Sequence, residues 1–368
     1  MSKERVCILT SVHRATDIRI FRKQAVSLSK KYEVTILATG SVEEKHESID
    51  FILLRKPRNR WERLLVTQPL MMFFAIRIKA KIYHFHDPEL IPLGFVLRLM
   101  GRKVIYDIHE DTFKQIKAKP WIPVPVRSLL ANIYRFSLFL ASKILSGLIC
   151  ATEGIQDSIQ LKSYIIRNYP IVGELSGRPG KNVKRTKVCY IGGIAYNRGL
   201  LEMTRFAESN PGRLVLAGPF QHESEFQMIQ KEAGWKHLSY VGTLSREEIA
   251  ELLQECYAGL VVLLPEPYFM DSLPIKMFEY MEAGVPVVAS NFPLWEKILV
   301  ESGCGICVDP TDAAEINQVL KQLETDSTLV QNMGNAGRET ILERYNWDNE
   351  EKKLLQLYSE LLSPQVSV

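Results

Sequence analysis

No G-x-G-x-x-G run follows the first strand of this sequence, which argues against a Rossmann-type dinucleotide cofactor. Nor does any apolar stretch reach the roughly 18 residues that cross a bilayer. No leader-like segment precedes Val6, because the first apolar run is a short strand flanked by charge, so the chain is expected to stay in the cytosol. Cysteine is sparse, with six residues at 7, 150, 189, 256, 304 and 307. Cys304 and Cys307 form a C-x-x-C, but no second such pair accompanies it and glycines 303 and 305 surround it, so structural thiols are expected rather than redox chemistry or zinc. No nucleic-acid-binding module and no low-complexity tract appears.

What the chain has is length and an uneven charge. Its 368 residues, 46% hydrophobic and 24% charged, exceed one comfortable core and predict two domains of a soluble α/β protein. Residues 1–170 hold 28 Lys and Arg against 15 Asp and Glu, whereas residues 171–368 hold 18 against 27. A net +13 half joined to a net −9 half suggests phosphate-rich substrates or an anionic membrane surface for the first, nucleic acid lacking a module to support it. Two segments of that basic half, 58–81 and 121–148, interleave Arg and Lys with aromatic and aliphatic residues. Each reads as an amphipathic helix, packed against a core or lying in a membrane interface.

The first βα unit is RVCILTS, a loop through VHRATDIR, and a helix from IFRKQ onward. His13, Asp17 and Arg19 therefore fall on the loop at a strand's carboxyl end. Two short strands follow with charged tips, KIYHFHDPEL and KVIYDIHED. His84 and His86 are two apart, and a metal pair is disfavoured because Asp87-Pro88 is expected to end the strand. A Gly/Pro/basic stretch, ELSGRPGKNVKR, reads as an interdomain linker, and TKVCYI opens a second α/β domain whose first loop, GGIAYNRG, carries Gly192, Gly193 and Arg198. Ser245 and Glu248 form a capping box at the start of a later helix.

Residues 266–290, EPYFMDSLPIKMFEYMEAGVPVVAS, compress a loop, a helix opened by Pro274 and closed by Gly284, and a strand. Backbone N–H groups from Ser272 onward lack intrahelical partners, and the helix dipole adds positive charge there, which makes an anion site. Lys276 can neutralise a phosphate and Glu279, one turn on, can accept from a ribose diol. The same pair, taken alone, also fits a solvated i,i+3 ion pair.

Asp271 and Glu279, separated by seven residues, resemble the E-x7-E signature of family 4 glycosyltransferases, and SLPIKMFEYMEAGVPVVAS resembles the SxPxKxFEYMxxGxPVV form of its bacterial members. TSVHxxxDxRIFRK, HDPEL, DxHE and ERYNW are similar to other segments of that family. The resemblance implies a GT-B fold: an acceptor-binding Rossmann-like domain at 1–172, a donor-binding one at 173–345 facing it across a cleft, and a helix at 346–368 crossing back to the first. It implies a retaining, metal-independent transfer of sugar from a nucleotide-diphosphate sugar to a hydroxyl acceptor, lipid-linked or another polysaccharide precursor, and no D-x-D carboxylate pair occurs in the chain. No cofactor is implied; the nucleotide sugar is substrate. By the same resemblance Glu279 binds ribose, Asp271 faces the donor sugar, and Arg198 and Lys276 grip the diphosphate. Gly192, Gly193, Ser272, Leu273 and Pro274 line the donor, and Gly242 lies against the base. His109 is placed near the reacting sugar, with His13, Asp17, Arg19, His86 and Asp87 on the acceptor side. Two departures stand out: Asp271 replaces Glu, and Gly193 stands where many members have arginine. The basic half points to peripheral contact with anionic lipid at the inner face of the cell membrane. A nucleotide-sugar epimerase of the same two-lobed fold and a non-enzymatic sugar-nucleotide-binding protein remain as alternatives.

Overall fold

The computed structural model describes residues 3–42, 44–119, 122–176 and 184–363. The chain divides into two compact units, Met1–Asn168 together with Asp348–Val368, and Tyr169–Trp347.

In the first unit β1 (Arg5–Leu9) is apolar on both faces, and Val6, Cys7, Ile8 and Leu9 are fully buried, as a central parallel strand requires. Asp17 caps the next helix by accepting from the N–H groups of Arg19 and Ile20; a π-helical stretch, Ile18–Ala25, then tightens into α1 (Val26–Ser29). Arg19 thus belongs to a helix, which begins two residues earlier than the loop boundary expected from sequence. There follow β2 (Glu33–Thr39), β3 (Ile49–Leu54), α2 (Arg60–Glu62) running on through Arg63–Thr67 into α3 (Gln68–Ile78), and β4 (Ile82–Phe85). The unit continues with α4 (Ile91–Leu99), β5 (Lys103–Ile108), α5 (Thr112–Ala118), α6 (Val124–Ile144), β6 (Gly147–Cys150), α7 (Glu153–Ile159) and β7 (Tyr164–Ile165). All seven strands pair in parallel, in the order β3-β2-β1-β4-β5-β6-β7. Residues of α3, α4 and α6 share one core with the strands, among them Met71, Leu97, Tyr134 and Leu138, so these helices form one layer on one sheet face.

The second unit runs β8 (Lys187–Ile191), α8 (Leu200–Ser209), β9 (Leu214–Ala217), α9 (Glu223–Ile229), β10 (Ser239–Gly242), α10 (Arg246–Gln254) and β11 (Cys256–Val261). It closes with α11 (Pro267–Met270), α12 (Ile275–Ala283), β12 (Val287–Ser290), α13 (Pro293–Ser302), β13 (Gly305–Val308), α14 (Ala313–Thr325) and α15 (Ser327–Glu343). Its six parallel strands order as β10-β9-β8-β11-β12-β13. Then α16 (Trp347–Leu362) returns the chain to the first unit. There the Tyr358 hydroxyl and His84 Nδ1 are 2.8 Å apart, Lys30 pairs with Glu351, and Leu354 and Leu357 are buried.

Sequence punctuation sets α12 closely. Gly284 ends it in the left-handed region at φ 68°, and Tyr280 and Met281 carbonyls accept from the cap N–H. Pro274 is the residue before the first turn rather than its first member, and α11 occupies part of what reads as loop. The Ser245–Glu248 capping box is present. Of the expected linker, residues 177–183 lie outside the described residues, as does Trp121. Cys304 and Cys307 are free thiols, and burial pushes their pKa values up to about 11 and about 12, which makes them poor nucleophiles.

Candidate functional site

In each sheet the strand order reverses once, between β1 and β4 in the first unit and between β8 and β11 in the second. Loops leaving the carboxyl ends of such neighbours diverge and leave a crevice for ligands. Most of the residues singled out from sequence sit at these two places.

In the second unit the loop after β8 brings glycine to a cation pair. A Cβ on Gly192, at φ 126°, would stand 3.2 Å from Lys276 Nζ, and one on Gly193 would stand 3.4 Å from Arg198 Nη1. Side chains at these positions would crowd the two basic groups, so glycine leaves them room. Arg198 ends a 3-10 turn, Tyr196–Arg198, and donates from Nη1 to the Gly193 carbonyl at 3.3 Å. Gly199 must follow, since a Cβ there would lie 2.2 Å from the Val262 carbonyl oxygen. Lys276 Nζ sits 3.5 Å from the Tyr190 ring centroid and has no hydrogen-bond partner among the described residues. Burial, and then the neighbouring Arg198 charge, hold the Lys276 ammonium well below the ordinary lysine pKa. Two adjacent cations, one buried and unpartnered, at a helix N-terminus with no side-chain cap, are a constellation that an anion would complete.

Glu279 is buried one turn deeper, and its Oε1 accepts from Arg246 at 2.8 Å, while Arg246 also reaches Glu174 at 2.6 Å. The guanidinium therefore holds Glu279 in one orientation. Ser272 is fixed through its carbonyl, which accepts from Trp295 Nε1 at 2.6 Å; Leu273 and Pro274 are half-buried, and Asp271 is exposed at the end of α11. Gly242 adopts φ 69° and its carbonyl accepts from the Gly218 N–H.

In the first unit the β1, β4 and β5 tips converge on two carboxylates. Asp87 accepts from Thr10 Oγ1 at 2.9 Å, from the N–H groups of Ser11 and Val12, and pairs with His13 Nδ1 at 2.8 Å. Burial raises its pKa, but these donors, His13 foremost, overcome that and lower it. Asp107 takes both Arg19 Nε at 3.0 Å and Nη2 at 2.9 Å, plus Gln24 at 2.6 Å. Asp87 and Arg19 are thus buried and held by protein groups, although Arg19 Nη1 has no hydrogen-bond partner among the described residues, whereas His13 and His109 remain partly open and meet Nε2 to Nε2 at 3.1 Å. Asp17 is spent as the helix cap.

The expectation that Asp87-Pro88 ends the strand too early for His84 and His86 to share a face is corrected. The His86 N–H still donates to the Leu9 carbonyl, so pairing with β1 continues one residue beyond Phe85 and the two rings share a face, stacked 4.8 Å apart. With Asp107 they form a group whose ligand atoms lie within 4.8 Å of one another. The Arg19 guanidinium already occupies both Asp107 oxygens in that group. Sequence reasoning missed Arg246, Glu174 and Gln24. It also missed Glu282, whose carboxylate accepts from the N–H groups of Gly173 and Leu175. The partners in these pairs lie 33 to 109 residues apart, beyond local pattern.

Residues 173–340 match the family described as glycosyl transferases group 1. Among curated proteins, an uncharacterised glycosyltransferase of Methanocaldococcus jannaschii is 23% identical over 176 residues, 46% of this chain and 44% of that protein. MMP alpha-(1->4)-mannosyltransferase of Mycolicibacterium hassiacum is 29% identical over 121 residues, 33% of this chain and 28% of that protein. The match thus spans less than half the length of either relative. Among solved structures, sucrose-phosphate synthase of Thermosynechococcus elongatus aligns with a TM-score of 0.79 at 14% identity, covering 98% of this chain and 99% of that one. HepE of Anabaena, in complex with UDP, aligns at 0.72 with 12% identity over 97% and 100%. At such identities these structures establish the fold: two Rossmann-like units and a carboxyl-terminal helix packed on the first, the GT-B arrangement.

Proposed function

We propose that this chain of GT-B fold is a glycosyltransferase that moves a sugar from a nucleotide-diphosphate donor to a hydroxyl acceptor, with retention at the anomeric carbon and without a metal ion. The observation that carries the reading is the Lys276 ammonium, buried beside Arg198 and lacking a hydrogen-bond partner among the described residues. In this reaction the bond between the anomeric carbon and the diphosphate oxygen breaks, and a bond to the acceptor oxygen forms on the same face. The acceptor proton passes to the departing diphosphate. Lys276, Arg198 and the N-terminus of α12 stabilise the charge that grows on that leaving group, which needs no reorganisation when the reaction occurs. Glu279, held by Arg246, receives the ribose hydroxyls; Asp271, Ser272, Leu273, Pro274, Gly192 and Gly193 surround the donor, and Gly242 faces its base. His109 serves the reacting sugar, and His13 with the loops braced by Asp17, Arg19, His86 and Asp87 serves the acceptor side. Anabaena HepE has been solved with UDP-glucose, which makes uridine nucleotides the first donors to test.

Thermal unfolding with UDP provides that test. A nucleotide at ~100 times its Kd stabilises the native state by about 2.7 kcal/mol, which raises the melting temperature of the second unit by several degrees. No shift with any nucleoside diphosphate would sink the donor assignment. Epimerisation of the donor sugar without an acceptor would favour the epimerase alternative.

We further infer that the acceptor is lipid-linked and that the first unit rests on anionic lipid. No helix among the described residues is long and apolar enough to cross a membrane. The layer of α3 and α6 nonetheless exposes Leu70, Phe73, Leu129, Ile133 and Phe136, and neither helix contains an acidic residue. Arg77 lies over the Phe73 ring and Lys143 over Phe139, so charge and apolar surface are interleaved as at a lipid interface. Flotation is expected with vesicles containing about a third anionic lipid and is expected to weaken as salt rises. Equal binding to neutral vesicles would count against the electrostatic part.

A further inference from the structure

At the strand-order reversal of the first sheet two imidazoles are joined nitrogen to nitrogen. His13 Nε2 and His109 Nε2 are 3.1 Å apart, with ring centroids 4.7 Å apart in an edge-on arrangement. One nitrogen must donate and the other accept. The choice is set on the far side of His13, where Nδ1 faces the Asp87 carboxylate at 2.8 Å. An ionised carboxylate only accepts, so His13 Nδ1 always carries a proton, and Nε2 carries one only when the ring is charged. With His13 charged, its Nε2–H donates to His109, whose own proton then resides on Nδ1. With His13 neutral, His109 donates from Nε2 and its Nδ1 bears a lone pair.

His109 Nδ1 is buried and has no hydrogen-bond partner among the described residues. His109 lines a small cavity of about 40 Å³ together with His13, His86, Tyr106, Glu110 and Thr112. We infer that His13 is a positioning residue whose own proton decides whether His109 presents an N–H or a lone pair to a hydroxyl group entering that cavity. The hydroxyl is a sugar's if the transferase reading holds, and this inference rests on that reading only for the identity of the ligand.

The charged surroundings agree. His13 is faced by Asp17 from its own loop, Asp87 from the β4 tip and Glu110 from the β5 tip; burial lowers its pKa, but Asp87 and the other carboxylates outweigh burial and raise it. His109 is faced by Asp107 and Glu110 from its own strand tip, His13 from the β1 loop, Arg19 from the first helix and His86 from the β4 tip; burial dominates and lowers its pKa, so this ring stays neutral while His13 titrates. A neutral ring that exchanges tautomers under a neighbour's control presents opposite hydrogen-bond polarity at the same point in space.

Proton–nitrogen correlation spectra of the full chain with isotope-labelled histidine, from about pH 5 to about pH 9, test this directly. The signals of His109, identified among the seven histidines by their loss in His109→Gln, are expected to change from the Nδ1–H to the Nε2–H pattern as pH rises through the His13 titration. In His13→Gln the pattern is expected to stop responding to pH, and in Asp87→Asn the change is expected at lower pH. One fixed tautomer in the unaltered protein, or a pH-driven exchange that survives in His13→Gln, would overturn the inference. The spectra need no substrate. A tautomer exchange in a protein that transfers no sugar refutes only the transferase reading, and a fixed tautomer in an active transferase refutes only this one. In the active enzyme, His13→Gln is expected to remove one limb of the kcat profile against pH while leaving donor KM within about twofold.

Discussion

Lys276→Ala is expected to lower kcat/KM by at least ~10²-fold, the scale of losing one preorganised donor aimed at a developing charge. Glu279→Ala is expected to lose as much, chiefly through donor KM. What sets the lysine apart is the sign of its effect on stability. A buried ammonium with no hydrogen bond and a guanidinium beside it is a destabilising group in the ligand-free protein, so its removal is expected to leave the melting temperature unchanged or higher. A residue whose loss lowers turnover ~10²-fold without weakening the fold would bear the signature of strain held for a ligand. The pH dependence follows from the lowered pKa. Between the folded value and the ordinary lysine value near ~10.4 the unfolded chain binds the extra proton, so this group's contribution makes stability rise with pH across that window. A bound diphosphate returns Lys276 to its charged form. UDP binding is therefore expected to take up a proton above the folded pKa and to weaken as pH rises further, which calorimetry in buffers of different ionisation enthalpy measures. A Lys276→Ala protein that turns over at a normal rate, or binds UDP with the same proton uptake, would remove the basis of the functional reading.

Breaking the Arg19–Asp107 pair is expected to cost ~3–5 kcal/mol in the first unit, because removing one partner strands the other charge in a dry core. Both side chains are almost wholly buried, and the bidentate geometry is completed by Gln24 on the carboxylate and by the Ile166 carbonyl on the guanidinium. Asp107→Ala and Arg19→Ala should each produce this loss, and the double substitution Arg19→Met, Asp107→Leu should recover most of it. Burial alone would raise the Asp107 pKa, but Arg19, followed by His84 and His86, holds it well below the carboxylate range. The stability it contributes is present above the unfolded pKa near ~3.9 and disappears as pH falls toward the folded value. The double variant should therefore lose part of the acid sensitivity of the β4 and β5 amides in hydrogen exchange. Single variants as stable as the unaltered protein would show that the pair is solvated in practice.

Local chemistry made a good part of this legible in the sequence. Pro274 and Gly284 bracket α12, Ser245 and Glu248 announce α10, and the apolar runs at Val6 and Val188 mark the opening strands of both units. Each signal is confined to a few neighbouring residues. The arginines that hold the candidate site's carboxylates were not legible, for a physical reason: Arg246 reaches Glu279 and Glu174, and Arg19 reaches Asp107, only after the sheets have brought together residues 33 to 88 positions apart. An arginine read in isolation is equally suited to a solvated surface, and burial decides otherwise. Histidine at 86 shows a different limit. A proline two residues on argues for an early strand end, yet the lost donor belongs to Pro88 itself, and pairing proceeds up to His86.

The route of the backbone carries one more consequence, for synthesis on the ribosome. All thirteen strands among the described residues precede α16, but Leu354, Leu357 and Tyr358 fill a surface of the unit that is translated first. That unit consequently emerges early and waits, its His84 face uncovered, while the whole of Tyr169–Trp347 is made and can close around its own core. The part begun first is finished last. Nascent chains stalled before Asp348 should therefore hold a protease-resistant second unit beside a first unit that chaperones still recognise.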